Sequence, residues 1–176
     1  MTNIACAQQW WCRMCQTWHG NLNSTNSFQL PSQFEPTPYP EIDSALAELK
    51  ITENDILYDL GCGDGRVLIA AYRQYGCSGV GIEINPQIAE NARIAVRQAG
   101  LSSKIRIVTG DATKYNLDNA TVIFIHLYPE TVARLIPKLH NKRVASYSHN
   151  LPGLPTRKVG PVFIYNNEGD ESWAVF

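Results

Sequence analysis

The sequence has no long apolar run: nowhere do the roughly 18 consecutive apolar residues of a membrane span follow one another. It has no excess of charge either. Lys and Arg number 15 against 16 Asp and Glu, a net charge of −1, so there is no general attraction to nucleic acid or to an anionic membrane. The N-terminus lacks the charged start and apolar stretch of a secretory signal. There are 5 cysteines, an odd number, and without a signal this argues against a disulfide framework. A reducing, cytoplasmic compartment is therefore expected. "CRMCQTWH" spaces Cys12 and Cys15 as C-x-x-C near His19. A zinc site needs about four ligands, the fourth would have to be Cys6 or a remote residue, and no metal is assigned. Internal repeats and low-complexity tracts are absent as well. What remains is a chain of 176 residues, 44% of them hydrophobic, enough for one domain with its own core.

Residues 1–33 differ from the rest. They hold Trp10, Trp11, Trp18 and the polar stretch "HGNLNSTNS", and they read as an N-terminal extension, partly disordered or lid-like. A second region, 34–176, carries the domain. It opens with "FEPTPYPE", whose three prolines give a stiff extended segment, and continues into the helical spacing of "EIDSALAELK". From there strands and helices alternate: "ILYDL", "RVLIAAYRQY", "SGVGIEI", "PQIAENARIAVRQAG", "KIRIVTG", "ATVIFIHL", "PETVARLIPKL" and "RVASYSH". Pro86 marks a first helical turn, Gly100 a stop, and Pro137 a kink or an end. "GPVFIYN" and "ESWAVF", separated by "NEGD", read as a β-hairpin, and "NLPGLPTRKVG" before them as a loop. The pattern predicts an α/β fold, a doubly wound and mostly parallel seven-stranded sheet closed by a C-terminal antiparallel hairpin. The connection between the third and fourth strands is too short for more than a stub of helix, and there is no inserted cap domain.

In an open α/β sheet, ligands bind beyond the C-terminal ends of the strands, where strand order reverses. Gly61, Gly63 and Gly65 end the first strand and allow a backbone to approach a ligand closely. Cys62 between them reads as a small filler. Glu83 ends the second strand, where a carboxylate accepts from ribose hydroxyls. Ile84 beside it is placed to lie against a purine. Asp111 follows the third strand, able to accept from an adenine amino group, and the Ala112 backbone is placed to read the adjacent ring nitrogen. The spacing is G-x-G-x-G, not the dinucleotide G-x-G-x-x-G. A pyrophosphate on this turn would face Asp64, with Asp59 just before it. Like charges about 4 Å apart cost about 4 kcal/mol at an effective dielectric of about 20, of which Arg66 offsets a part. A phosphate-free, cationic adenosyl ligand avoids that cost, and S-adenosylmethionine is one.

"YDLGCGDGR", "GIEINP" and "GDATKYNL", in this order and spacing, resemble the first three motifs of class I (seven-β-strand) S-adenosylmethionine-dependent methyltransferases. The resemblance covers about residues 36–176. It implies a Rossmann-like methyltransferase fold in which Asp59 and the turn 61–65 hold the methionine end, Glu83 the ribose and Asp111 the adenine. The segment "EPTPYPEIDSALAEL" ahead of the first strand, with Pro129 after the fourth, is similar to a group of small lysine methyltransferases related to the ATP synthase c-subunit lysine methyltransferase. By that resemblance Thr37 and its neighbours close over the cofactor. The eukaryotic members of that group carry a membrane-inserting N-terminal segment, and "QQWWCRMCQTW" is too short and polar to span.

The fourth strand ends "IFIHLYPE". The Asp/Asn-Pro-Pro-aromatic motif of many adenine and glutamine N-methyltransferases is missing from it. Its polar groups, His126, Tyr128 and Glu130, are the candidate catalytic residues. A tyrosine holds an amine through its ring face or hydroxyl, and a carboxylate accepts its proton. Tyr39, Tyr147 and His149 are further lining candidates. Each has a plainer alternative: Glu130 stands in a first helical turn, where acids are favoured anyway, and His126 on a buried strand suits the core equally. The expected partner is a protein lysine. A small-molecule or RNA acceptor is the second reading and a non-catalytic cofactor-binding module the third. RNA is disfavoured because phosphate contacts need clustered Lys and Arg. Oligomeric state has no sequence signal.

Overall fold

The computed structural model describes residues 35–151, 153 and 156–166. The N-terminal extension, its cysteine pair and tryptophans, and the strand expected at "ESWAVF" lie outside the described residues.

Seven strands form one sheet: β1 (Ile56–Leu60), β2 (Ser78–Glu83), β3 (Ile105–Thr109), β4 (Val122–Ile125), β5 (Arg143–Tyr147), β6 (Arg157–Val159) and β7 (Val162–Asn166). Their spatial order is β3-β2-β1-β4-β5-β7-β6. The first five are parallel to one another, while β7 runs antiparallel to both β5 and β6. Helices α1 (Tyr39–Glu48), α2 (Arg66–Tyr75), α3 (Pro86–Gln98) and α4 (Pro129–Leu135) flank the sheet. Strand order reverses between β1 and β4. Crossovers of the usual right hand, running outward on either side of that point, put the connecting helices on opposite faces, which is the doubly wound arrangement.

Local sequence accounts for the element ends. Gly65 precedes α2 with φ 81°, and Gly76 ends it with φ 76°, conformations that cost glycine nothing. Asn85 caps α3 by accepting from the amides of Gln87 and Ile88. Pro137 stops α4 in a 3-10 turn, Ile136–Lys138. Central strand β4 is buried throughout, so it reads as a continuous apolar run. Leu57, Leu60, Ile82, Ile123 and Phe124 form the middle of the core.

One expectation is corrected. The partner of "VFIYN" in the closing hairpin is Arg157–Val159, inside the stretch read as a loop, with Val159 opposite Val162. This is a three-residue edge strand whose Arg157 and Lys158 are exposed. Short, charged edges resist intermolecular pairing, and they carry no apolar alternation by which sequence could reveal them.

Candidate active site

The chain leaves β1 through the glycine turn at the β1/β4 reversal. The amides of Gly61 and Cys62 both donate to the Ile82 carbonyl, at 2.8 and 3.0 Å, and the Gly65 amide donates to the Cys62 carbonyl at 2.9 Å. Gly61 has φ 80°, and a Cβ there would lie 2.5 Å from Leu127 Cδ2 on the loop after β4. Only glycine lets the two loops meet so closely. Cys62 points inward, and a Cβ on Gly81 would lie 2.6 Å from its sulfur. Burial, and then the charges of Asp59, Glu83 and Asp64, push its thiol far up, so it fills space, as the sequence suggested.

The carboxylates divide by partner. Asp64 is neutralised: Arg66 binds it through Nε at 3.0 and 3.1 Å and Nη2 at 2.7 Å. Glu83, 8% exposed, accepts from the Gly63 amide at 3.1 Å and the Asn85 amide at 2.9 Å. Asp59 is 2% exposed, and its Oδ2 has no hydrogen-bond partner among the described residues. Burial, with Asp64 and Glu83 nearby, holds its carboxyl well above the usual range. The carboxyl of the turn left without a cation and with an unpartnered oxygen is therefore Asp59, not Asp64. A buried, unpartnered carboxylate oxygen suits an ammonium group and repels a phosphate. The residues present fit S-adenosylmethionine.

On the other side of β1, Ile84 is 70% exposed just beyond β2, an apolar face free for a purine. Asp111 Oδ1 accepts from the Thr113 amide and hydroxyl at 2.9 and 2.7 Å. The Thr113 bonds hold its carboxyl below the usual range. Ala112 is buried beside it.

On the β4 side, Tyr128 caps α4 in extended conformation with its residue 64% exposed, and Glu130 is exposed in the first turn of that helix. His126 and Tyr147 pack edge to face, ring centroids 4.6 Å apart. Burial, and the nearby His149, lower the His126 pKa against the opposing pull of Glu35. His126 Nδ1 is hydrogen-bonded to Thr37 Oγ1 at 2.9 Å, and the Thr37 carbonyl accepts from Arg66 Nη1 at 3.3 Å. Tyr39 stacks under the Arg66 guanidinium, 5.2 Å from carbon to ring centroid. The sequence gives no hint of the Thr37–His126 contact, which joins residues 89 positions apart.

Residues 59–158 match the ANTKMT methyltransferase domain. The chain belongs to this methyltransferase family. A protein-lysine N-methyltransferase of Saccharolobus islandicus is 31% identical over 132 residues, covering 72% of this chain and 82% of that protein. The adenine nucleotide translocase lysine N-methyltransferase of Mus musculus is 29% identical over 123 residues, covering 67% of this chain and 52% of that protein, so the chain spans about half the length of that relative. A solved structure of an RNA methyltransferase from Salinibacter ruber, in complex with S-adenosyl-L-homocysteine, is 32% identical with a TM-score of 0.68, covering 77% of this chain and 95% of that one. The methyltransferase thus shares its fold with a relative that holds the demethylated cofactor, and S-adenosylmethionine is its cofactor. Among the described residues no group of His, Cys, Asp and Glu could hold a metal ion. No described helix is long and apolar enough to cross a membrane.

Proposed function

We propose that this methyltransferase transfers a methyl group to a protein lysine side chain. The observation that carries the acceptor reading is the exposed Tyr128 ring at the end of β4, with the Glu130 carboxylate in the next turn. An aromatic face and a carboxylate suit a cationic amine and do not suit a phosphodiester. The archaeal and vertebrate lysine methyltransferases among its relatives support the same reading. Cys62 and Cys77 are buried free thiols, in keeping with a cytoplasmic location.

Asp59 and the turn at Gly61, Cys62 and Gly63 would hold the methionine end of the cofactor, Glu83 the ribose, and Asp111 with the Ala112 backbone the adenine, with Ile84 against its face. Bound there, S-adenosylmethionine supplies an activated methyl group. The chain's own work is to orient the acceptor, exclude water and remove a proton. A lysine with a reference pKa near 10.4 needs roughly 4 to 5 kcal/mol to be neutral at pH 7. Desolvation of the amine within the crevice lowers that cost, and Glu130 would take the proton.

An RNA acceptor is the second reading, favoured by the Salinibacter ruber relative. Incubating the protein and methyl-labelled cofactor with cell extract, then separating protein, RNA and small molecules, decides between them. Label is expected in protein, on lysine. Label confined to RNA overturns the proposal.

A further inference from the structure

We propose that Lys138 is a positioning residue for the adenine half of the cofactor site: its ammonium group pins the turn after β3, and that turn aims Asp111 and the Ala112 amide. This rests on the assignment of adenine to that turn in the reading above. The turn stands where an open α/β sheet binds its ligands, beyond the C-terminal ends of the strands. Thr109, the last residue of β3, lies opposite Glu83, and the Gly110 amide donates to the Glu83 carbonyl at 2.9 Å. The turn therefore starts against the strand end that carries the Glu83 carboxylate.

No helix follows the turn before β4 to hold it in place. Two bonds close it from within. The Lys114 amide donates to the Asp111 carbonyl at 3.0 Å, and the Tyr115 amide to the Ala112 carbonyl at 3.3 Å. A turn closed in this way leaves its last carbonyls to be satisfied from outside, as a helix C-terminus does, and a lysine suits them. Lys138 supplies that contact. Its Nζ donates to the Thr113 carbonyl at 2.5 Å and to the Tyr115 carbonyl at 3.1 Å. Lys138 is half-buried and ends the 3-10 turn in which Pro137 stops α4. Leu135 and Leu139 are fully buried in the same core as Ala112 and Leu117, so the lysine reaches the turn from a fixed base.

Planar peptide units carry that hold to the groups that read adenine. The unit between Thr113 and Lys114 is gripped at both ends, its carbonyl by Lys138 and its N–H by the Asp111 carbonyl. That carbonyl belongs to the unit whose N–H is the Ala112 amide. Carbonyl and N–H of a trans unit point in opposite directions, so fixing the one aims the other. The Thr113 amide and hydroxyl, at 2.9 and 2.7 Å, take Asp111 Oδ1. Oδ2 lies 3.8 Å from the ammonium of the exposed Lys114, a loose pair, and is the oxygen left for an amino group. An acceptor oxygen beside a donor N–H matches the adenine amino group and its neighbouring ring nitrogen. It does not match hypoxanthine, which presents a carbonyl and an N–H in their place.

The test is calorimetry of the full chain with S-adenosylhomocysteine and with S-inosylhomocysteine, which differs only in carrying hypoxanthine. The parent is expected to prefer the adenine ligand by about 100-fold, as two mismatched hydrogen bonds cost. Lys138→Met keeps a long stem and removes the charge. It is expected to bind the adenine ligand about tenfold more weakly and the hypoxanthine ligand less than about threefold more weakly, so that the preference shrinks. Lys138→Arg, which can donate to both carbonyls, is expected to keep the preference. Equal losses for the two ligands in Lys138→Met would mean that Lys138 only supports the fold, and would overturn the proposal. So would a Lys138→Met protein with the parent's affinities. Should Lys138→Met fail to fold, Lys138→Gln, able to donate to one carbonyl and uncharged, decides in its place, and an unchanged preference overturns the proposal. A parent that binds neither ligand, or both alike, overturns the adenine assignment and the proposal with it. That result is read on the parent alone and is separate from every outcome of the variants.

Discussion

Asp59 shows in one residue how the site trades stability for binding. Its carboxyl is held well above the usual value by burial, with Asp64 and Glu83 adding to it. A folded-state pKa above the unfolded one means that the folded protein binds the extra proton. Stability contributed by this group is therefore present at low pH and lost as pH rises through the folded value. Above the unfolded value, burying Asp59 therefore costs the ligand-free fold stability. Asp59→Asn is expected to raise the stability of the ligand-free protein above the unfolded carboxyl value and to weaken cofactor binding by more than about tenfold. Thermal unfolding with and without S-adenosylmethionine reads both. A ligand-free variant less stable than the parent would end the argument. The positions of Asp59, Glu83 and Asp111 in the fold were legible in the sequence because each lies at or just beyond the C-terminal end of a strand, at a fixed distance from the glycines. Their partners were not. Arg66 was legible as a partial offset to the charge of the turn, but nothing in the spacing says that it binds Asp64 and leaves Asp59 Oδ2 without a partner, because those contacts depend on side-chain directions set by the packed turn.

At the scale of elements, the opposite edge of the sheet holds a fastener. Asp55, just before β1, accepts from the Thr52 amide at 2.7 Å and hydroxyl at 3.0 Å, and from the Thr121 hydroxyl at 2.7 Å. It also pairs with Arg143 at the start of β5. Arg143 in turn donates to the carbonyls of Leu49 and Lys50, both at 2.9 Å, just after α1. Four elements are thus tied at the N-terminal edge of the sheet. Burial raises the Asp55 pKa, but the Thr121 and Thr52 bonds and Arg143 outweigh it, and the net shift is downward. The contribution is therefore present above the unfolded value, 3.8, and lost as pH falls through the lower folded one. Arg143→Met leaves a buried carboxylate with its hydroxyls but without its cation. It is expected to cost about 3 kcal/mol or more while changing cofactor affinity by less than threefold, measured by denaturant unfolding and calorimetry. A large loss of affinity at unchanged stability would contradict this division of labour between the two edges. The elements themselves were largely legible. Helix caps, prolines and apolar periodicity are local signals, and α2, α3 and the break after α4 fall where those signals stand. β6 was not legible, because three residues with two exposed charges become a strand only through β7, a tertiary partner.

For the whole molecule, the lean architecture and the near balance of charge bear on the acceptor. Between β3 and β4 the described chain forms turns and no helix. No inserted domain covers the crevice among the described residues, so a side chain presented by a large partner has access. The net charge of −1 leaves recognition to local groups rather than to a long-range field. That gives the two acceptor readings different salt dependences. A single-stranded RNA held by about four phosphate contacts releases counterions on binding. It would lose roughly 50-fold in affinity between about 50 and 200 mM salt. A lysine received by the Tyr128 ring and the Glu130 carboxylate makes one desolvated cation–π contact and one charge pair, which salt screens only partly. The expected fall in kcat/KM for the labelled protein acceptor over that range is less than about threefold. Rates of label transfer into extract protein, measured at saturating cofactor across a salt series, give the slope directly. A fall of about 30-fold or more would mean that recognition runs through many ionic contacts, and the assignment of the acceptor to Tyr128 and Glu130 would then be wrong.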